Sequence, residues 1–396
     1  MSTPSLPPGC IDVPARPRLV FGDGTLGRLG ALAAELGARR ALLVTDSGIV
    51  AAGHAGRARE SLEKAGIAVA VYESVRENPD THDVERCRQA AVDARVDLFI
   101  GLGGGSSVDT AKGANLLLTN GGAVQDYWGV GKVPQAMLPL IAIPTTAGTG
   151  SECQSAALIA DAVTHQKMAC LDPKITARIA ILDPELTVSQ PARVTAVTGV
   201  DALSHALESA VTRRRNAVSW MYSESAFQKL AGSLVRVLDE PRDLMARGDM
   251  LLGAALAGLA IECSMLGGAH ACANPLTAQF GVVHGAAVGV MLPAVLRHNA
   301  VPGSEAESLY ARLAVAAGWS PRCDPAAAAA AALVDGVSRL LDRAGIPRST
   351  VDAGVPVSAI PTLAAAAARQ WTAQFNPRDL DVEAFISLYT AAAQPR

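Results

Sequence analysis

Short apolar runs, each closed by glycine, proline or a polar residue, recur along the first half of the chain. The runs at 40–46, 67–73, 96–101, 138–144 and 179–183 read as strands, being short and rich in Val, Ile, Leu and Ala. Helix-length stretches at 48–65 and 81–95 separate the first three. Such alternation predicts a mostly parallel sheet with helices on its faces. After Ser189 the pattern changes. Long Ala- and Leu-rich stretches follow at 199–211, 219–238, 243–266, 285–299, 326–344 and 382–393, with no strand-like run among them. Gly267-Gly268 and Pro347 punctuate them as helix stops. The alanine run at 326–332 reads as plain helix, and no internal repeat is present. The expectation is an α/β domain over residues 1–188 and an all-helical domain over 189–396.

Composition narrows the class. With 396 residues, 50% hydrophobic and 18% charged, the chain has material for two buried cores and excludes intrinsic disorder. Aromatics are scarce (6 Phe, 4 Trp, 5 Tyr), so the cores must be built from Ala, Val, Leu and Ile. A net charge of -3 without a basic run argues against nucleic acid or an anionic membrane as partner. The 7 cysteines form no C-x-x-C pair, which points to reduced thiols in a cytoplasmic protein. Five prolines in the first twenty residues, with no apolar core, argue against a signal peptide. The most apolar segment, 251–261, lies between Asp249 and Glu262 and falls short of the roughly 20 residues a membrane span needs.

Two segments carry candidate nucleotide chemistry. Residues 97–113, DLFIGLGGGSSVDTAKG, place a strand, a glycine loop and a helix start in order. Glycines admit a phosphate close to the backbone, and amides at a helix N-terminus attract its charge. The loop is not a G-x-G-x-x-G motif, since Ser106 holds the last position, and a plain strand-to-helix turn reads the same way. Residues 144–152, PTTAGTGSE, follow another strand with four hydroxyls and two glycines suited to a pyrophosphate or ribose, or simply to a structural loop. Asp46 closes its strand where it would accept hydrogen bonds from an adenosine ribose and repel a 2′-phosphate, although aspartates also close strands for turn reasons.

A second constellation suggests a metal. Asp201 and His205 stand four apart on one helix face, a spacing that also suits a surface pair. His270 and His284 lie in a stretch, 250–296, without any Lys or Arg. One carboxylate and three imidazoles make a closed set for a divalent cation of the Fe, Zn or Co kind. His54, His82 and His165 have no such company and read as surface residues; His298 has none either.

Taken in order, the segments 103–112, 144–152 and 199–208, the His270/His284 pair, Phe21-Gly-Asp-Gly, Asn78-Pro79 and Asn376-Pro-Arg make the chain, from about Arg18 onward, similar to the iron-dependent (group III) alcohol dehydrogenases. This is the family of lactaldehyde reductase and 1,3-propanediol dehydrogenase. The resemblance implies a Rossmann-like dinucleotide-binding α/β domain and an all-α domain, the fold also seen in dehydroquinate synthase, with metal and nicotinamide meeting between them. It implies Asp201, His205, His270 and His284 as ligands of Fe2+, with Zn2+ as the alternative. It also implies Gly104, Gly105 and Ser106 at the pyrophosphate, Asp46 at the adenosine ribose, and Asn78, Thr145, Thr146, Thr149 and Lys167 completing the NAD site, with Lys167 near the nicotinamide ribose. NAD is favoured over NADP, the metal would act as a Lewis acid on the alcohol oxygen, and the assembly would be a homodimer or larger homo-oligomer.

One departure stands out. Many relatives carry a histidine four residues after the third ligand, near the nicotinamide; here Asn274 occupies that place, and asparagine hydrogen-bonds but carries no proton. Enzymes of similar fold acting on anionic substrates (glycerol-1-phosphate dehydrogenase, dehydroquinate synthase, maleylacetate reductase) need cations near the metal. Stretch 250–296 supplies none, which favours a small neutral alcohol. A non-catalytic NAD-binding assembly protein would predict degraded ligands, and all four are intact. Ile261, Cys263 and Met265 either shape the substrate pocket or belong to the core.

Overall fold

The computed structural model describes residues 17–164 and 166–396. Apart from short 3-10 turns, the first half runs β1 (Arg18–Phe21), α1 (Leu29–Glu35), β2 (Arg40–Val44), α2 (Ser47–Ala51), α3 (His54–Lys64), β3 (Ala68–Tyr72), α4 (Thr81–Ala94), β4 (Leu98–Gly103) and α5 (Gly105–Asn120). It continues through β5 (Gly129–Val130), β6 (Leu140–Pro144), β7 (Ala156–Ala160), β8 (Lys167–Leu171) and β9 (Ile179–Leu182). The rest is helical: α6 (Ala192–Ser209), α7 (Ala217–Asp239), α8 (Leu244–Cys263), α9 (Gly268–Phe280) and α10 (His284–Asn299). Then come α11 (Glu305–Ala316), α12 (Ala326–Arg343), α13 (Ile360–Ala367) and α14 (Val382–Ala392).

Six strands form one all-parallel sheet in the order β1-β9-β6-β4-β2-β3. Alternate residues feed two cores, one on each face: Ala41, Leu43, Leu98 and Ile100 on one side, Leu42, Val44 and Phe99 on the other. Burial on both faces explains why β4, β6 and β9 are apolar throughout instead of alternating. From β2 the chain steps to the edge strand β3 and then crosses back to β4, so its direction reverses between β2 and β4. In open parallel sheets, ligands bind at the carboxyl ends of the strands at such a switch point. A smaller sheet, β5-β8-β7, pairs β7 and β8 antiparallel and has its own core.

The helical region encloses a single large core. Side chains one residue before the helix cap several starts: Asp80 and Asp83 form a capping box on α4, Asn216 and Ser219 one on α7, and Asp243 caps α8. By length and composition α8 could cross a membrane, being longer than the apolar segment 251–261 alone suggests. It is instead a core helix packed on α6 and α7, with 72% of its apolar window buried.

Several elements differ from the sequence expectation. The stretch 48–65 is two helices, broken where Gly53 takes a left-handed φ of 81°. β1 and β5 are short, and β7 (AALIA) and β8 (KMACL) hold a single β-branched residue between them, Ile159. α9 was masked by its Gly-Gly start and by Pro275, while α11 and α13 were not anticipated. His54 is a correction: it is buried, 6% exposed, and its Nε2 lies 2.9 Å from Ser189 Oγ. His82 is exposed, and His165 lies outside the described residues.

The two halves meet backbone to backbone. A Cβ on Gly258 of α8 would lie 2.7 Å from the Gly150 carbonyl oxygen, and one on Gly150 would lie 2.8 Å from Gly258 Cα. Ser155 adds a polar tie, its N–H and hydroxyl both reaching Glu262 of α8 at 3.0 and 2.5 Å. Backbone cannot step aside as a flexible side chain can, so Gly258→Ala is expected to lower stability by about 1–3 kcal/mol, read from urea unfolding. A loss below about 0.5 kcal/mol, the range of a neutral surface change, would show that the contact is not tight.

Candidate metal centre and cofactor cleft

The glycine loop and its neighbours converge at the carboxyl ends of β2, β4 and β6. Gly104 is the N-cap of α5, and among the described residues no side chain caps that helix start, which leaves its first amides available. Thr146 and Thr149 close over the loop: a Cβ on Gly104 would meet Thr146 at 3.4 Å, and one on Gly105 would meet Thr149 Oγ1 at 2.8 Å. The buried Thr145 donates its N–H to the Gly103 carbonyl at 2.9 Å. Asn78, in the left-handed region with φ 53°, donates its N–H to Ser106 Oγ at 3.3 Å. Asp46 caps α2 through the Ile49 N–H at 3.0 Å, and its second oxygen would lie 3.4 Å from a Cβ on Gly103. The structure thus brings Asp46, Asn78, Gly104, Gly105, Ser106, Thr145, Thr146 and Thr149 together. Lys167, exposed at the start of β8, is close enough for its charge to act on both Asp109 and His284.

Beneath this loop lies a buried network that the sequence reading left unassigned. Lys112, fully buried on α5, donates from Nζ to the carbonyls of Ser151, Gln154 and Ala156 at 2.7, 2.7 and 2.8 Å. Ser151 Oγ donates to Asp109 at 2.6 Å. One ammonium therefore satisfies three carbonyls of a segment with little regular structure.

Across the cleft, α6 carries Asp201 and His205, α9 carries His270, and α10 begins with His284. Asp201 Oδ1 lies 3.4, 3.5 and 3.8 Å from the Nε2 atoms of His205, His270 and His284. The Nε2 atoms of His205 and His270 are 3.1 Å apart. Among the described residues, Asp201, His270 and His284 present ligand atoms all within 4.8 Å of one another. Close packing of α10 on α6 sets this geometry, since a Cβ on Gly285 would fall 2.0 Å from the Val197 carbonyl oxygen. Gly148, in the 144–152 loop, is pressed equally close to Thr198 of α6 (2.6 Å to its Cβ). That loop therefore touches the glycine loop with one residue and the donor-bearing helix with its neighbour.

The electrostatics of the cluster call for a cation. Asp201 and Glu208 are both buried, and buried carboxylates need a positive partner. Burial works against ionised Asp201, yet the three imidazoles around it hold its carboxyl below the usual carboxylate range. Burial first, and then the charge of His270, push His205 down. His284 is likewise pushed down by the protein around it and by the charges of His270, Lys167 and His205. His270 goes the other way: burial opposes its proton, but Asp201 and Glu208 outweigh it and raise the pKa to about 9. Among the described residues, Asp201 Oδ1 is buried with no hydrogen-bond partner. An orphaned carboxylate oxygen ringed by imidazole nitrogens, with no Lys or Arg in 250–296, fits a divalent metal. Asn274, one turn after His270, donates from Nδ2 to Gln370 Oε1 at 3.0 Å.

A parallel dinucleotide-type sheet facing a carboxylate–imidazole cluster across a cleft is the layout of a dehydrogenase. Two family models account for most of the chain: iron-containing alcohol dehydrogenase over residues 16–184, and the C-terminal domain of the Fe-containing alcohol dehydrogenase family over 195–393. The chain is 33% identical over 367 residues to the NAD-dependent methanol dehydrogenase of Bacillus methanolicus, spanning 93% of this chain and 96% of that protein. It is 36% identical over 371 residues to choline dehydrogenase of Bacillus subtilis, spanning 93% and 91%. A solved 1,3-propanediol oxidoreductase superposes with a TM-score of 0.93 at 29% identity, covering 97% of this chain and all (100%) of that one. The chain belongs to the iron-containing alcohol dehydrogenase family.

Glu152 closes the 144–152 loop and gives a pH prediction. It is buried, and burial, with Asp109 adding to it, raises its carboxyl from 4.5 to about 7, while its own backbone amide and Lys112 pull the other way. Because the folded value is the higher one, the stabilisation is complete below about 4.5 and is lost as pH rises through about 7. Glu152→Gln is expected to abolish that slope, which is at most about 1.4 kcal/mol per pH unit. Urea midpoints between pH 5 and 8 check it, and an unchanged slope would remove Glu152 as its source.

Proposed function

We propose that this enzyme transfers hydride between NAD(H) and a small neutral primary alcohol or its aldehyde, with a divalent metal held by Asp201, His205, His270 and His284. The observation that carries the reading is the orphaned Asp201 Oδ1, with three imidazole Nε2 atoms 3.4–3.8 Å away. Fe2+ is the expected ion, and Zn2+ suits the same donors. When bound, it supplies Lewis acidity that favours the deprotonated alcohol near neutral pH.

The chain's own residues do the rest. Amides of Gly105 and Ser106 at the α5 N-terminus hold the pyrophosphate, which Gly104 lets come close. Thr145, Thr146, Thr149 and Asn78 wall the cofactor in, and Lys167 serves the nicotinamide ribose. Asp46 accepts from the adenosine ribose and repels a 2′-phosphate, so NAD is preferred to NADP. The absence of Lys and Arg from 250–296 supports an uncharged substrate. An anionic substrate is the second reading: the charge of Lys167 reaches His284, although it also acts on the buried carboxylate of Asp109. The working protein is a cytoplasmic homodimer or larger homo-oligomer.

Purification without oxygen, metal analysis, and assay of NAD reduction across alcohols graded in length and charge test the reading together. His270→Ala should lose bound metal and about 10²–10³-fold of turnover, the scale of removing a principal electrostatic stabiliser, while NAD binding persists. Full activity in a metal-free variant would overturn the assignment.

Asn274 cannot relay a proton, so the alcohol proton leaves through water, a cofactor ribose hydroxyl or another residue. Asn274→His should add a titration near about 6.5, the ordinary histidine value, to the pH profile of kcat/KM. If both the profile and KM stay as in the wild type, Asn274 lies away from the chemistry.

A further inference from the structure

Glu208 stands three residues after His205 and seven after Asp201, so all three share one stripe of α6. Glu208 is 4% exposed, and its two carboxylate oxygens point at α9. Oε2 lies 2.5 Å from His270 Nδ1, and Oε1 accepts the Ala269 N–H at 2.6 Å. The α9 N-cap, Gly267, has no side chain to cap with, and a Cβ there would sit 3.2 Å from Glu208 Oε1 and 3.1 Å from Asn376 Oδ1. Asn376 accepts the Gly268 N–H at 3.2 Å and is locked in turn by Asn299 in a reciprocal pair at 2.8 and 3.1 Å. Two distant side chains thus cap α9, and one of them also grips the imidazole one turn in.

We propose that Glu208 is a positioning residue for the metal: it keeps the proton of His270 on Nδ1, so that the Nε2 lone pair faces Asp201, and it brings a second negative charge to the centre. The proposal rests on the metal reading above. A carboxylate in this place accepts from two donors on two separate oxygens, His270 Nδ1–H on Oε2 and the Ala269 amide on Oε1, which an amide could match only by crowding both donors onto its single oxygen. Gln puts a donating NH2 where Glu has its second oxygen, so a Gln that keeps its oxygen on one of these donors turns the NH2 toward the other, and where the NH2 faces His270 the imidazole proton moves to Nε2. Partners of this kind behind a ligating imidazole fix its tautomer and raise its basicity, and their loss costs about 10–100-fold in metal affinity.

The test uses the full-length enzyme, stripped of metal and reloaded with Co2+ as a visible probe. Glu208→Gln is expected to bind Co2+ about 10–100-fold more weakly in chelator competition. At saturating Co2+ its d–d spectrum should still differ from wild type, because one donor is misoriented, while NAD affinity is retained. Asn376→Ser is the control for a merely structural role. It weakens the α9 cap, so its melting temperature should fall, but its saturated Co2+ spectrum should match wild type. Wild-type affinity and spectrum in Glu208→Gln would overturn the proposal. So would the same spectral change in both variants, since that would make Glu208 a cap and nothing more. If Glu208→Gln does not fold, Glu208→Asp decides: its shorter carboxylate should fold, keep the Ala269 bond and show the weakened, shifted Co2+ site, and unaltered binding would count against the proposal. A wild-type protein that takes up no Co2+ would instead refute the metal reading itself.

Discussion

Everything at the cleft depends on backbones meeting without side chains between them. Gly285 lies against the Val197 carbonyl, Gly148 against Thr198, and Gly150 against Gly258, each so close that a methyl group would overlap its neighbour. The first contact places the start of α10, and hence His284, beside Asp201. The second brings the 144–152 loop onto the donor-bearing helix, and the third docks that loop on α8. Side chains would have kept these elements farther apart. Packed interiors give little under strain, so the donor geometry follows from how closely the helices approach.

A consequence is that one short segment, 144–152, belongs to both halves of the site. Its threonines close over the α5 N-terminus while its glycines seat α6 and α8. The glycine loop and the Asp201–histidine cluster are thereby joined through a single stretch of chain, held from below by Lys112 and Asp109. The same economy appears in α6, where one stripe provides Asp201, His205 and the carboxylate behind His270.

Much of this was legible in the sequence, and the remainder has identifiable causes. The strands of the parallel core showed clearly because burial on both faces makes them uninterrupted apolar runs, as in β4. The hairpin β7–β8 did not, because its Ala, Met and Cys residues carry little β signal, and α9 was hidden by Gly267, Gly268 and Pro275. The clustering of Asp201 with three histidines was readable because histidines are conspicuous where Lys and Arg are absent. Glu208 was overlooked although it sits in the same segment as His205, at the spacing that continues the stripe; its partner, the α9 terminus, is remote in sequence. Lys112 and Asp109 were missed for a similar reason, since nothing local marks a lysine as buried. His54 read as a surface residue because its partner, Ser189, is distant along the chain.

The ring of carbonyls around Lys112 also shapes how the molecule breathes. Any fluctuation that peeled residues 151–156 away from α5 would strand a charged ammonium inside the protein, an outcome costly enough to suppress it. Local opening proceeds in cooperative units, and here the unit contains α5 together with residues 151–156. The glycine loop at the head of α5 and the neighbouring 144–152 loop therefore stay in register with each other, because neither can fray without the other.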